Sequence, residues 1–347
     1  MMVELNADNV VDYARSRGWI GPSSARAEWL SGGVSNCVLR VEQPDCDSGG
    51  RGEALLTSTV HPRPVRRIIV KQSRPQLRTK QAWFSDISRI HREEDVQRLL
   101  VDQLPGAIPR VIGSDRDNYA YAMEHAPDGV RTWKEMLLDG EINLETARTV
   151  GRLLGRLHKL NLDAPHLADS EVFRQLRIEP FYHRISEVHS DLTPVIRPLV
   201  NAMIYLPCGL CHGDFSPKNL LIAGDLVWLV DHETAYIGEP AMDVGFFFSH
   251  LLLKTIRRPG WRAAMLGVTR AALGAYGAQG DVLERGLAHL GVCLLARIDG
   301  TSPVDYLPSE RHRDAVRRLG RTILLEKPSD WETVLGWVER TTVELEE

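Results

Sequence analysis

The sequence predicts an α+β protein of two lobes, a small strand-rich amino-terminal one and a larger, mainly helical carboxy-terminal one. Three observations carry this. Up to about residue 130, short β-branched runs alternate with Gly- and Pro-rich turns, the pattern of paired strands. From about Thr132 onward, apolar residues recur at helical spacing. The chain of 347 residues is also long enough for two hydrophobic cores.

Taken in order, residues 8–17 read as a first helix, with Asn6 or Asp8 able to cap it. "AEWLSGGVSNCVLRVE" reads as strand, Gly-rich turn, strand. Between 43 and 64 the composition shifts to Pro, Gly, Asp and Ser, a loop or hairpin insertion. "RRIIVKQS" is a short strand that carries Lys71 near its end, and residues 85–101 have helical spacing with Ile87, Ile90, Val96 and Leu100 on one side. Residues 104–130 supply two more strands and a Pro-Asp-Gly turn. In "NLETARTVGRLLGRLHKL" the apolar stripe is Leu144, Ala147, Val150, Leu154 and Leu157, with Asn143 as its cap. Gly151 and Gly155 would let another helix come close, and His158 reads as a satisfied structural histidine. Strands return only at "NLLIAGDLVWLVDHE", two apolar runs about a Gly224–Asp225 turn, and the remainder from Glu239 reads as helices.

Hydrophobic content of 43% and charged content of 25% are ordinary for a globular protein. A formal charge of -4 gives no general case for a nucleic-acid or anionic-membrane partner. The basic stretch over 63–98 alternates with apolar residues and acids and reads as a solvated helix face. The amino terminus has early acids and no uninterrupted apolar core, and His250 breaks the longest apolar run well short of a membrane span. The expected location is cytoplasmic, with reduced thiols. The five cysteines, at 37, 46, 208, 211 and 293, contain one close pair and no second pair to complete a zinc site.

"LPCGLCHGDFSPKNLLI" admits two incompatible readings. Cys208-x-x-Cys211-His212 is the attachment pattern of a c-type haem, and His212-Gly213-Asp214 with Asn219 five residues on is the catalytic loop of a kinase. The expected reducing compartment and the apolar neighbours of Cys208 and Cys211 favour two small buried hydrophobes over a haem anchor. The hairpin favours the second reading. Asp214 and Asn219 precede one of its strands and Asp231 ends the other, so folding brings the three side chains toward one end of the sheet. A carboxylate, an amide oxygen and a second carboxylate suit Mg²⁺ carrying phosphate oxygens. Phosphoryl transfer asks the protein mainly for positioning and charge neutralisation. Asp214 would orient the attacking hydroxyl and accept its proton, while Asn219 and Asp231 hold the metal. Any one of these acids by itself would be read as a turn cap; the spacing of the set argues for chemistry.

"HGDFSPKNLLI" followed by "LVDHETAYIGEPAMDVG" resembles the aminoglycoside phosphotransferase/choline kinase family, whose members have a protein-kinase-like fold. The resemblance covers about residues 28 to 250 and implies a bilobal fold with an amino-terminal lobe over 1–123, a hinge at 124–127 and a helical lobe over 128–347. It implies ATP and Mg²⁺ as cofactors. It places Lys71 on the α- and β-phosphates, Glu93 (or Glu94 after a slip of one) as that lysine's partner, and the Glu124 carbonyl and Ala126 amide on the adenine. "LSGGVSN", with Gly32, Gly33, Ser35 and Asn36, sits where the nucleotide-covering loop belongs. By the same resemblance His212 braces Asp214, Asp243 steadies the loop, and Glu233 stands behind or at the metal. Lys218 either reaches the transferred phosphate or is a solvated lysine.

The implied reaction is transfer of the ATP γ-phosphoryl group to a hydroxyl of a small molecule. "VKQSRP", Trp83 and "DHETAYIGEP" are similar to methylthioribose kinases, which points to a sugar-like acceptor. Aminoglycosides and amino alcohols are the alternatives. Substrate candidates lie in 173–185 and in 295–307, where Arg297 and Asp299 either face the cleft or form an ion pair within the lobe. The rival of another class is a nucleotide-binding pseudokinase with a regulatory role. Protein phosphorylation is disfavoured, since eleven residues between Asp231 and Asp243 leave little room for a peptide-docking segment. A monomer and a homodimer are both open.

Overall fold

A computed structural model describes residues 2–30, 36–44, 65–75, 85–206, 208–277 and 281–347. The chain divides into two compact units, one of residues 1–94 and 109–126, the other of 95–108 and 127–347.

The first unit contains α1 (Val10–Ser16), β1 (Arg26–Trp29), β2 (Asn36–Pro44), β3 (Val65–Ser73), the first six residues of α2 (Arg89–Gln103), β4 (Val111–Asp115) and β5 (Ala120–Glu124). The strands make one antiparallel sheet in the order β1-β2-β3-β5-β4. Period-two alternation along β3 sorts its side chains. Ile68 and Val70 join Val10, Leu39, Val41 and Ala122 on one face, and Ile69 joins Ile90, Tyr121 and Met123 on the other. Lys71 shares the face of Ile69, which is the face α2 covers. Asn6 Oδ1 accepts from Asp8 N and Asn9 N and so builds the turn before α1, whereas Asp8 is no cap. Arg89 is fully buried, donating to the carbonyls of Arg74, Ser85 and Asp86, and so departs from the solvated face expected of the basic stretch.

The second unit opens with the rest of α2, then β6 (Arg131–Thr132) and α3 (Trp133–Asp139), which starts on a Thr132–Glu135 capping box. Next comes α4 (Leu144–His158), where Asn143 Oδ1 accepts from Glu145 N and Thr146 N at 2.8 and 3.2 Å. Ala147, Val150, Leu154 and Leu157 are buried, but Leu144, in the exposed first turn, is not. α5 (Glu171–Phe173) runs through a π-helical segment (Arg174–His183) into α6 (Arg184–Val188), and α7 (Thr193–Tyr205) follows. That segment carries Pro180, whose missing N–H and ring fit poorly into a regular α-helical ladder.

β8 (Leu220–Ala223) and β9 (Leu226–Leu229) form the hairpin expected about Gly224–Asp225, and β6 adds a third strand. The reading of strands only at this hairpin is corrected by β6 and by β7 (Gly209–Cys211), which pairs with β10 (Tyr236–Gly238). α8 (Pro240–Arg257) is buried from Pro240 to Ile256 and forms the centre of the helical core. It packs on α10 (Val282–Asp299) and on α9 (Arg262–Tyr276), and α11 (Glu310–Glu326) and α12 (Trp331–Glu346) complete the unit. Among the described residues no helix is long and apolar enough to cross a membrane.

The α4–α9 crossing depends on Gly151. A Cβ there would lie 2.2 Å from the Ala272 carbonyl oxygen, a backbone atom that cannot swing aside. Gly151→Ala is therefore expected to destabilise the protein by about 1–3 kcal/mol through overpacking, read as a lower urea midpoint.

Candidate active site

The site in the second unit begins where β7 ends. Gly213 turns the chain with φ 74°, and a side chain there would strike Thr234, whose carbonyl oxygen lies 2.6 Å from the would-be Cβ. Asp243, in the first turn of α8, accepts from His212 N at 2.6 Å and Gly213 N at 2.8 Å. His158 stands behind it, with Nε2 3.3 Å from Asp243 and Nδ1 2.8 Å from the Tyr276 hydroxyl. The Thr234 hydroxyl donates to the His212 carbonyl at 2.9 Å.

His212 links the loop to the hairpin. Its Nδ1 accepts from Asp214 N at 3.2 Å, so Nε2 carries the proton that it donates to the Val230 carbonyl, also at 3.2 Å. Burial holds its pKa below the ordinary value despite the pull of Asp243, Asp214 and Asp231, which keeps the ring neutral in this bridging tautomer. Asn219 donates its amide to both the Asp214 carbonyl and Asp214 Oδ2, at 2.9 and 3.0 Å, and its own carbonyl accepts from Val230 N. The residue after Val230 is Asp231, held in the left-handed region with φ 72°. For a residue with a Cβ that conformation costs about 1–2 kcal/mol, and here it sits at a residue singled out for chemistry.

The Asp214 carboxylate is 5% exposed and lies between two cations. Arg177 Nη2 approaches Oδ1 at 2.9 Å, and Lys218 Nζ approaches Oδ2 at 2.9 Å. Burial pushes its pKa up, but Arg177 and Lys218 outweigh that and hold the carboxyl below its ordinary value, with Asp231 opposing them. Arg177 also donates to the Gly213 and Leu176 carbonyls, so its head is fixed at three points. It had no individual assignment from the sequence. The signal available was its place in the arginine- and aromatic-rich 173–185 stretch.

Within the first unit, Lys71 Nζ pairs with the Glu93 carboxylate, and the Tyr121 hydroxyl donates to the same oxygen at 2.9 Å. Lys71 is 5% exposed and Glu93 fully buried, so Glu93 and not Glu94 holds the lysine. Asn36 is buried and accepts from Arg89 at 3.5 Å. Glu124 ends β5 and pairs with Arg110 at 2.8 Å, and Ala126, two residues on, is buried. Gly32, Gly33, Ser35 and Trp83 lie outside the described residues.

The remaining candidates are placed as follows. Glu233 is buried two residues beyond Asp231. Arg297 and Asp299 serve different partners. Arg297 donates to the Ser302 carbonyl and meets His250, while Asp299 accepts from Arg317 and His189 at 3.0 Å. Cys208 is exposed, Cys211 is buried in β7, and both are free thiols.

The chain is similar in sequence to curated proteins and in structure to solved ones. A methylthioribose kinase of Escherichia coli O45:K1 is 26% identical over 63% of this chain and 62% of its own length, so the match spans less than two thirds of that relative. An amicoumacin kinase solved with AMP-PNP, Ca²⁺ and Ami superposes with a TM-score of 0.56 at 14% identity, over 93% of this chain and 95% of its own. An ethanolamine kinase of Plasmodium vivax gives 0.50 at 11% identity, over 96% and 86%. At such identities the likeness establishes the fold, the protein-kinase-like α+β one. Residues 56–284, which run from before Lys71 through the His212–Asn219 loop to Asp243 and beyond, match the profile of the phosphotransferase enzyme family, and the chain belongs to that family.

Proposed function

We propose that the protein is an ATP-dependent small-molecule kinase that transfers the γ-phosphoryl group to a hydroxyl of a sugar-like acceptor. The observation that carries this reading is Asp214, a buried carboxylate kept ionised between Arg177 and Lys218 and pinned by the Asn219 amide. An ionised carboxylate there aligns the acceptor hydroxyl. As the new oxygen–phosphorus bond forms and the bond to the β-phosphate oxygen breaks, the hydroxyl proton passes to Asp214. Its low pKa makes it a weak base, which suits a loose transition state in which the proton moves late and positioning dominates. Lys71, fixed by Glu93, would meet the nucleotide phosphates, and Glu124 and Ala126 the adenine.

The donor set fits Mg²⁺. The Asn219 NH₂ group is spent on Asp214, which leaves its Oδ1 for a cation, and the Asp231 carboxylate supplies a second hard oxygen. Mg²⁺ held by these two residues would neutralise charge on the phosphate oxygens. The methylthioribose kinase relative supports a sugar-like acceptor over an amino alcohol.

The test is ADP release from Mg-ATP against pooled sugars, aminoglycosides and amino alcohols. Release that needs an acceptor pool is the expected result; ATP that neither binds nor turns over would overturn the reading. Lys71→Met is expected to raise the KM for ATP about 10–100-fold, the worth of a charged hydrogen bond. It should also cost about 3–5 kcal/mol of stability, because a fully buried Glu93 loses that cation. Initial-rate kinetics and denaturant melts check both.

A further inference from the structure

Next to Asp214 the second unit holds a row of cations in which, among the described residues, Arg177 has an acid against it and Arg297 and Lys254 have no ion-pair partner. Arg177 and Arg297 both lie over the rings of Phe181 and Phe246, at 5.1–5.8 Å. Arg297 Nη2 is 3.2 Å from His250 Nε2, and Lys254, one helical turn along α8, lies 5.4 Å from the centre of the Tyr306 ring. Lys254 is 3% exposed, and its one protein acceptor among the described residues is the His250 carbonyl at 3.1 Å. Arg297 Nε and the Tyr306 hydroxyl are buried without a hydrogen-bond partner among the described residues.

The acids near Arg297 and Lys254 are committed to other cations. Asp214 is engaged by Arg177 and Lys218, Asp299 by Arg317 and His189, and Asp305 beside Tyr306 is exposed. Burying a cation without a counter-charge is costly, and a fold that needed only packing here would place an apolar residue at 254. Burial, with Lys134, Arg297 and Arg257 adding repulsion, pulls the Lys254 ammonium down to about 7. His250 is likewise held neutral by burial and by Arg297 and Lys254, so it accepts from Arg297.

We propose that the acceptor is an acidic hydroxylated small molecule, a carboxylate or a phosphate ester, whose anionic group is held by Arg297, Lys254 and the Tyr306 hydroxyl while its hydroxyl meets Asp214. This rests on the kinase reading and narrows it. Such an anion supplies the missing counter-charge and accepts from the orphaned Arg297 Nε and Tyr306 Oη. Burial does not set the row apart from the chemistry, since Asp214 at 5% is as enclosed as Lys254. A cationic aminoglycoside or amino alcohol would be repelled by it.

The test uses the full chain and matched probes: glycerol, glycerate and glycerol 3-phosphate, then glucose, gluconate and glucose 6-phosphate, each against sodium chloride at equal ionic strength. A charged member should raise the melting temperature saturably where its neutral partner does not, and whether carboxylate or phosphate does so identifies the anion. The shift should vanish in Lys254→Met and in Arg297→Gln. The same charged member should drive ADP release. Without ligand, Lys254→Met should melt higher than wild type at pH 7. That gain should shrink toward pH 10, because the lysine's folded pKa lies below its unfolded one and its penalty is full only below about 7. No shift from any charged probe, equal shifts from neutral ones, or shifts that survive both variants would overturn the inference. If Mg-ATP still raises the melting temperature in that case, the kinase reading stands and only the acidic acceptor falls.

Discussion

Asp214→Asn is expected to lower kcat about 10²–10⁴-fold, while Mg-ATP still raises the melting temperature. Both carboxylate oxygens face donors: Oδ1 faces Arg177, and Oδ2 faces Lys218 and the Asn219 amide. An asparagine has one acceptor oxygen and one NH₂ group, so either orientation sets a donor against a donor. The charge that aligns the hydroxyl is lost together with the geometry. The nucleotide contacts proposed for Lys71, Glu124 and Ala126 belong to the other unit, which is why ATP binding should persist. Loss of the ATP-induced shift along with turnover would mean that the mutant had unfolded or that Asp214 holds nucleotide.

Arg177→Met tests the same carboxylate from the other side. Burial pushes the Asp214 pKa up and Arg177 is the largest of the opposing influences, so its removal should raise that pKa. The acid limb of the pH–kcat profile should then move to higher pH. The linked stability has the same sign. A carboxyl with a depressed folded pKa stabilises above its unfolded value of about 3.9, and that contribution disappears as pH falls through the folded value. An unmoved acid limb would show that Arg177 does not set the Asp214 charge.

How much of this was legible in the sequence varies with the range of the interaction. The hairpin carried its own signal, two apolar runs around Gly224–Asp225, and so did the α4 cap at Asn143, because turn and cap chemistry are local. Lys71 and Glu93 were found through resemblance, and the ion pair formed in the fold falls on Glu93 and not on Glu94. β7 and β10 went unread because three residues hold too little alternation to register. Arg89 read as solvent-facing because its partners are backbone carbonyls of Arg74 and Ser85, which no side-chain pattern reveals. Lys254 closed an apolar run that had served only to exclude a membrane span. A helix apolar on every side belongs in a core, and only tertiary packing shows that its lysine has been carried in as well.

Asp243→Asn is expected to cost about 2–5 kcal/mol and to lower kcat about 10²-fold. Asp243 is fully buried, and its two oxygens divide the work: Oδ1 accepts from Gly213 N, and Oδ2 accepts from His212 N and meets His158. Asparagine keeps one acceptor and turns an NH₂ group on the other backbone amide. One buried N–H then goes unpaired and a donor presses against it. The loop can relieve this only by moving, and His212 N and Gly213 N sit two residues and one residue before Asp214. Displacement there is transmitted directly to the reacting carboxylate, whereas Lys71 and Glu93 lie on the other unit and are untouched. The expected signature is therefore a lower melting temperature and a lower kcat with an unchanged KM for ATP. His158→Gln, which acts on Asp243 without removing either backbone contact, should show the same signature at smaller size. Full activity in Asp243→Asn would mean that the loop holds its shape through His212 and Thr234 alone.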